Sequence, residues 1–404
     1  MTSIRSRAAP GSTGIGQRDR RRVLWVICAV HALHDGFTDT LYLLLPLWQA
    51  EFALGYAAVG ALRSLYTAAM AGLQVRAAAT ARRIGNSFVL VAGTMLAAAG
   101  YLLAGSSSGF IMLAGALILG GIGSSTQHPI ASSLVAQAYN AQGSRTALAT
   151  YNFAGDLGKM VLPSATAVAL LLAPWRSAAL VLGMIGMATA LAIAFLLKTS
   201  RPEADRPTPL PDPGIDQPAP PRDGFALLLA IGIIDSATRM GFLTFLPFLL
   251  KAKGASLPTV GLALMLVFAG GAAGKLVCGF LGARIGVLAT VVVTEGVTAL
   301  GIATLLPLPL EAILALLPAI GVALNGTSSV LYGTVPELAP AHRRQRAFGL
   351  FYTGTIGAGA VSPAIYGLFG DIFGISVAMV LLAAIVLVTL PLAWKLSWAL
   401  NDKK

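Results

Sequence analysis

Charge is what this chain has little of: Asp, Glu, Lys and Arg make up 11% of its 404 residues, against about 25% in soluble globular domains. Such a deficit excludes a large soluble catalytic domain and points to a chain that folds in lipid. Cysteine is scarce as well. Cys28 and Cys278 both lie in apolar runs, and neither belongs to a CxxC or Cys/His cluster, so neither a disulfide framework nor a zinc site is implied. No phosphate loop or nucleophile elbow occurs, and His31-x-x-His34-Asp35 lacks the spacing of the zinc-protease helix signature. An enzyme is the least expected class, and the sequence calls for no cofactor.

What the chain has instead is apolar sequence, 56% of all residues. Runs of about 20 residues, the length needed to cross a hydrocarbon core of about 30 Å, recur from end to end. Hydropathy places twelve membrane helices near residues 23–50, 56–77, 86–106, 108–136, 145–173, 176–198, 223–251, 257–281, 286–306, 309–336, 344–370 and 375–399. The net charge of +12 sits at the ends of these runs rather than in one dense patch with interleaved aromatics, which speaks against nucleic acid as a partner. Arg18, Arg20, Arg21 and Arg22 resemble the start of a signal peptide. The stretch behind them carries His31, His34, Asp35 and Asp39 and no small-residue cleavage site, so it reads as a retained first membrane helix.

Residues 199–222 differ in kind, with 8 of the 22 prolines and no apolar periodicity, the mark of a solvated linker. The expected organisation is a tail over 1–22, a six-helix bundle over 23–198, the Pro-rich linker over 199–222, a second six-helix bundle over 223–399, and a tail over 400–404. With both termini and the linker on one side, 20 Lys and Arg fall on that face and 3 on the other. The positive-inside rule then puts both termini and the linker in the cytoplasm, as for an inner (plasma) membrane protein. The halves also repeat. A shift of 201 residues lays Val59-Gly60 on Val260-Gly261, Arg83-Ile84-Gly85 on Arg284-Ile285-Gly286, and Pro46 on Pro247. A parallel repeat of this kind is the architecture of transporters that rock two halves about a central site.

Twelve helices, a central linker and G-x-L-x-x-R-x-G from Gly279 through Arg284 to Gly286 make the chain resemble the major facilitator superfamily. The first-half copy of that loop departs from the pattern, with Ala78 for Gly and Arg82 for an acidic residue. Within the superfamily the chain is similar to the fosmidomycin-resistance group of efflux proteins. Three stretches carry that likeness: His31-x-x-x-Asp35 followed by Pro46 to Leu54, Gly123-Ser-Ser-Thr-Gln127-His128-Pro129, and Gly155-Asp-Leu-Gly158 leading to Pro163. The resemblance implies an all-α membrane protein of the major facilitator fold, with two bundles related by the repeat. It also implies a proton-driven exporter of small, often anionic or amphiphilic compounds, including drugs. Asp156 and Lys159 depart from the group, where small or uncharged residues are usual.

An ionisable group at mid-membrane costs about 2.5–3.5 kcal/mol on insertion scales, so it faces a cavity or a partner. His31, Asp35 and Asp39 recur every four residues and form one stripe on the first helix, flanked by His34, Thr38 and Tyr42. A buried carboxylate beside a histidine can load and release a proton near neutral pH. His31, Asp35, Asp39, Asp156 and Asp235 are therefore the proton-coupling candidates. His34, Tyr42, Gln127, His128, Asn152, Lys159 and Arg239 are the substrate-binding candidates. Asp156 with Lys159 and Asp235 with Arg239 are spaced to neutralise each other, either as structural pairs or as sites where a substrate anion competes for the cation. The histidines and carboxylates are also ligand types for a divalent metal, although no complete first shell is recognisable and none is expected.

Arg63 and Lys275 are expected to snorkel to the interface or to pair, and Glu295 to pair at the periphery. Pro163 and Pro363, at nearly matching repeat positions, are expected to kink helices that bend during gating, with Gly279, Arg284 and Gly286 as the loop latch. The favoured function is proton-coupled efflux of a small organic anion or drug-like compound by alternating access. Proton-coupled uptake of an organic acid or anionic chelate is the alternative, followed by a non-transporting membrane sensor. The expected partners are the lipid bilayer, protons and a small-molecule substrate, with a monomer as the working unit.

Overall fold

The computed structural model describes residues 17–139, 141–197, 222–339 and 344–401, and no strand occurs among them. The greater part of the Pro-rich linker and of both tails lies outside the described residues. The first half runs through α1 (Gln17–Phe52), α2 (Tyr56–Ile84), α3 (Asn86–Gly105), α4 (Phe110–Ser124), α5 (Gln127–Ala138), α6 (Ala141–Ala169) and α7 (Trp175–Leu197). The second runs through α8 (Arg222–Ala252), α9 (Leu257–Ile285), α10 (Val287–Leu305), α11 (Leu310–Thr334), α12 (Arg344–Phe373), α13 (Ile375–Leu387) and α14 (Thr389–Asn401).

Fourteen helices make twelve spans because the fourth and the twelfth, each expected unbroken, are interrupted. Pro129 and Pro391 each stand at the third position of the helix after the break. A proline there has no N–H for the carbonyl four residues back, so the ladder stops ahead of it. Hydroxyls fill in locally: Thr126 Oγ1 donates to the Gly123 carbonyl at 3.0 Å, and Thr389 Oγ1 to the Val386 carbonyl at 2.5 Å. Among the described residues nine helical segments are long and apolar enough to span a membrane by length and composition alone. Those missing from the nine are α1, α2 and α6, the helices that carry Asp35 and Asp39, Arg63, and Asp156 and Lys159.

The repeat is visible in the backbone. Gly85 between α2 and α3 and Gly286 between α9 and α10 hold φ of +102° and +86°, a left-handed region open to glycine at little steric cost. That explains why Arg-Ile-Gly recurs 201 residues on: both turns reverse the chain within one residue. The halves meet through α2 on α12 and α6 on α9, with α1 touching α8. At these two seams backbone approaches backbone. A methyl group at Gly60 on α2 would run into the Pro363 carbonyl of α12, and one at Gly261 on α9 into Ala167 of α6. Pro363 and Pro163 both belong to these seams, since Ser164 next to Pro163 donates its hydroxyl to the Gly261 carbonyl at 3.3 Å.

The apolar core is divided unequally along the membrane axis. At the end away from the termini one cluster draws on both halves, with Leu41, Leu45, Trp48 and Trp175 from the first and Phe245, Leu249, Phe268 and Leu317 from the second. At the end that carries the termini there are two clusters, one made wholly from the first half around Ile27, Leu90, Ile130 and Ile193, the other wholly from the second around Leu228, Val291, Leu331 and Phe351. Burial of apolar area, at about 25 cal/mol per Å², therefore holds the halves together at one end only. They part towards the termini.

At the closed end the carboxylate of Asp371, on α12, accepts from the backbone N–H of Tyr56 at 2.5 Å and of Ala57 at 2.9 Å. Gly55, the residue before α2, has no side chain to cap the helix. The opposite half supplies the cap, aided by the positive end of the α2 dipole.

Candidate functional site

Between the halves lies a cavity of about 370 Å³. Its wall is lined by Asp35, Asp39, Tyr42, His128, Asp156, Lys159, Asp235 and Arg239, all eight singled out from the sequence, and by Arg63 and Lys275.

Asp35 is the most crowded of these. His31 Nε2 lies 3.2 Å from its Oδ2, Lys159 Nζ 3.3 Å from the same oxygen, and His128 Nε2 3.7 Å from Oδ1. The stripe on α1 brings His31 and Asp35 together, but His128 comes from α5 and Lys159 from α6. Close helix contact makes this possible: a methyl group at Gly155 would sit 2.6 Å from the His31 ring and 2.7 Å from Asp35 Oδ2, and Gly158 faces the Ala32 backbone. Gly155-Asp-Leu-Gly158 is thus the groove of α6 that admits α1. His31 Nδ1 is 2.7 Å from the Tyr151 carbonyl, an acceptor only, so Nδ1 carries the hydrogen. Any proton between Nε2 and Asp35 is consequently an additional one.

Asp156 is shared between two lysines, with Nζ of Lys275 at 2.5 Å and Nζ of Lys159 at 3.8 Å. Lys275 does not snorkel to an interface; it crosses from α9 to α6. Asp39 has no cation within 4.0 Å among the described residues, although it is buried on the cavity wall. Its charge is met only at longer range, by Lys159 and Arg63.

The second half corrects two expectations. Asp235 forms no ion pair with Arg239 among the described residues; Arg239 Nη1 donates to Ser328 Oγ at 3.1 Å, while Asp235 lies beside Glu295, near enough for the two carboxyl groups to share a hydrogen bond. Glu295 is not peripheral but 1% exposed, on α10. Its apolar surroundings in sequence gave no hint of this partner, because a helix-face pattern does not say which neighbouring helix it meets. The first half adds a third correction, Arg63. Expected to snorkel or pair, it is 1% exposed on α2, with its guanidinium 4.5 Å from the Tyr42 ring centre and 5.6 Å from that of Tyr66.

Three substrate candidates lie off the cavity. His34 turns to α3, with Nε2 3.0 Å from Thr94 Oγ1. Gln127 is buried and donates to the Tyr151 hydroxyl at 3.0 Å, holding the residue whose carbonyl fixes His31. Asn152 is exposed and outside the lining. Among the gating candidates, Pro163 and Pro363 sit at the seams, whereas Gly279 and Gly286 are exposed and Arg284 lies over the Phe280 ring at 4.4 Å.

His31, Asp35 and His128 present ligand atoms within 4.8 Å of one another, a set that could meet a cation. The Lys159 ammonium already stands 3.3 Å from the central carboxylate and opposes a second positive charge there. The cluster is better suited to protons than to a metal.

Two bundles, seams of α2 with α12 and α6 with α9, and a polar cavity between them can be set against known proteins. Two crystal structures of a bacterial homologue of the human lysosomal transporter Spinster share the fold. The inward-facing, unoccupied one superposes with a TM-score of 0.80 at 15% identity, over 96% of this chain and 99% of that one. The inward-facing, occupied one gives 0.76 at the same identity and coverage. No curated protein matches the sequence significantly. The Major Facilitator Superfamily family model matches residues 27–232 and 227–403, nearly the whole described chain. The protein belongs to the Major Facilitator Superfamily and is a membrane transporter rather than an enzyme.

Proposed function

We propose that this transporter couples the movement of a small organic anion to that of protons, by alternating access between its two halves. One observation carries the reading: a carboxylate on the cavity wall, Asp35, with two imidazoles and an ammonium within 4.0 Å. Such a cluster can hold one proton more or less without stranding a bare charge in lipid. Asp35, with His31 and His128, is the proton site; Lys159 balances Asp35 when the proton leaves. Asp39 and Asp235 are further candidates, and Asp156 balances Lys159 and Lys275.

Asp39 and Asp235, the cavity carboxylates with no cation within 4.0 Å among the described residues, repel an anion unless protons neutralise them. Proton and anion therefore promote each other's binding, and the promotion is reciprocal. Ligands that bind together travel together, whereas exchange requires each to exclude the other. We accordingly favour uptake with the proton gradient over the efflux implied by the likeness to the fosmidomycin-resistance group, a likeness that still supports an anionic cargo. The excess of basic residues on the terminal side supports a plasma-membrane location with both termini cytoplasmic, so that the cavity faces inward. A complete cavity within one chain supports a monomeric unit.

The test is a pH-sensitive dye inside sealed proteoliposomes, with an inward anion gradient imposed. Acidification inside, lost in Asp35→Asn, is the expected result. Alkalinisation would establish exchange and restore efflux. Anion movement without any pH change would remove proton coupling.

A further inference from the structure

We infer that Arg63 of the first half and Arg239 of the second are the anchors for the anion, and that cargo is held by one guanidinium from each half. The inference rests on the reading of the cavity as the transport site and goes beyond it by naming the recognised group, a carboxylate or phosphonate head.

The cations of the cavity divide into two kinds. Lys159 and Lys275 are already occupied, by Asp35 and Asp156 in the one case and by Asp156 in the other. Arg63 and Arg239 have no carboxylate oxygen within 4.0 Å among the described residues. Arg63 is 1% exposed, yet only one of its three nitrogens is satisfied: Nη2 donates to the Tyr42 hydroxyl at 2.9 Å, while Nε and Nη1 have no hydrogen-bond partner among the described residues. A guanidinium buried with two idle nitrogens is expensive, and proteins as a rule do not leave such groups unpaired. An arriving anion offers the missing acceptors as charge-assisted hydrogen bonds, about twice as strong as neutral ones.

The surroundings hold Arg63 in place for this. Tyr42 and Tyr66 flank it, and Tyr66 is itself fixed by hydroxyl contacts to Thr38 at 3.0 Å and Ser124 at 2.8 Å. On the other side of the cavity Arg239 rests on Ser328. The Tyr42 hydroxyl meets Met240 Sδ at 3.6 Å, so the residue that holds Arg63 also touches the neighbour of Arg239. An anion between the two guanidiniums would therefore lie where the halves already approach each other and draw them together. Arginine suits this role better than lysine, since its planar head matches the two oxygens of a carboxylate or phosphonate.

The experiment uses the full-length protein in detergent and four probes with one ring and different heads: benzoate, phenylphosphonate, benzamide and benzylamine. Binding is followed by calorimetry. Benzoate or phenylphosphonate should bind at least about tenfold more tightly than benzamide and benzylamine, and Arg63→Gln and Arg239→Gln should each remove about tenfold or more of that affinity. Equal binding of benzamide, or binding of neither anion by the unaltered protein, overturns the inference. So does anion binding undiminished in Arg239→Gln, a variant at a half-buried position that keeps the test decisive if Arg63→Gln fails to fold. Anion binding through both arginines without proton movement in liposomes would defeat the coupling reading and leave this one standing. Proton flux driven equally by benzamide would do the reverse.

Discussion

Lys275 on α9 donates to both carboxylate oxygens of Asp156 on α6, at 2.8 and 2.5 Å, and so joins the two halves across the cavity wall. Asp156 is buried, whereas nearly half of the Lys275 side chain is exposed, so the pair has one foot in water and its worth is limited by solvent screening. Lys159, 3.8 Å from Asp156, is a second cation that stays when Lys275 is removed. Lys275→Gln is therefore expected to lower stability by about 1 kcal/mol and Asp156→Asn by somewhat more, since it strands Lys275 and leaves Lys159 with Asp35 alone. The double variant should cost less than the sum of the singles, with a coupling of about 1 kcal/mol. Thermal melts of the four proteins in detergent give the cycle; strict additivity would show that the contact contributes nothing.

Asp35→Asn should separate binding from energy coupling. Asparagine keeps the size of the side chain and its acceptor towards Lys159, but it cannot take up the proton. Anion binding should persist within about threefold, while uphill accumulation driven by a pH gradient should fall to background, a loss of 10²-fold or more. Gly155→Ala tests the same site without replacing a titratable group: its methyl would press on the His31 ring and Asp35 and should lower gradient-driven flux with Asp35 still in place. Flux measured with and without a pH gradient distinguishes the outcomes. Full gradient-driven transport in Asp35→Asn would take Asp35 out of the mechanism.

The twelve spans and the two halves could be read from the sequence because hydropathy and repetition are local signals. The same holds for the stripe of His31, Asp35 and Asp39, which follows from helical spacing alone. Partners were another matter. Asp235 and Arg239 have the spacing of a salt bridge, yet each turns to a different helix, Asp235 to Glu295 on α10 and Arg239 to Ser328 on α11. Arg63 looked like a snorkelling residue because its burial depends on Tyr42 and Tyr66, one of them on another helix. His34 faces away from the cavity because the part of α1 that it occupies is covered by α3. Spacing shows which residues share a face; it does not show which neighbour covers that face.

Closure of the end away from the termini should depend on Gly60. A side chain there meets the Pro363 backbone, which cannot swing aside as a side chain could. Gly60→Ala is expected to cost the closed end about 1–3 kcal/mol and so move the balance between inward-open and outward-open forms by about five- to a hundredfold. Asp371→Asn should act in the same direction but weakly, by about 0.5–1 kcal/mol, because its carboxylate is exposed while capping α2. Labelling of a single cysteine introduced at Phe248, whose ring packs on Tyr56 of the other half at 5.6 Å between ring centres, in a background without Cys28 and Cys278, reports on that end. Its rate should rise in Gly60→Ala and change only a few-fold in Asp371→Asn.

Glu295 and Asp235 offer the sharpest contrast between a charge and a hydrogen bond. Both are buried, 1% and 4% exposed, and their carboxyl groups lie side by side. Two carboxyl groups share a hydrogen bond only if one of them carries a proton, and two bare charges this close in a low-dielectric interior repel strongly. Glu295→Gln supplies the same donor permanently, so it should leave the melting temperature unchanged or raise it. Glu295→Ala removes the partner, leaves Asp235 unsatisfied and opens a hole, for a loss of about 2–4 kcal/mol. Thermal melts of the two variants decide the matter. A Gln variant as unstable as the Ala variant would mean that Glu295 is needed as a charge, and Arg239, whose charge acts on both carboxyl groups, would then be the residue to examine as its counterpart.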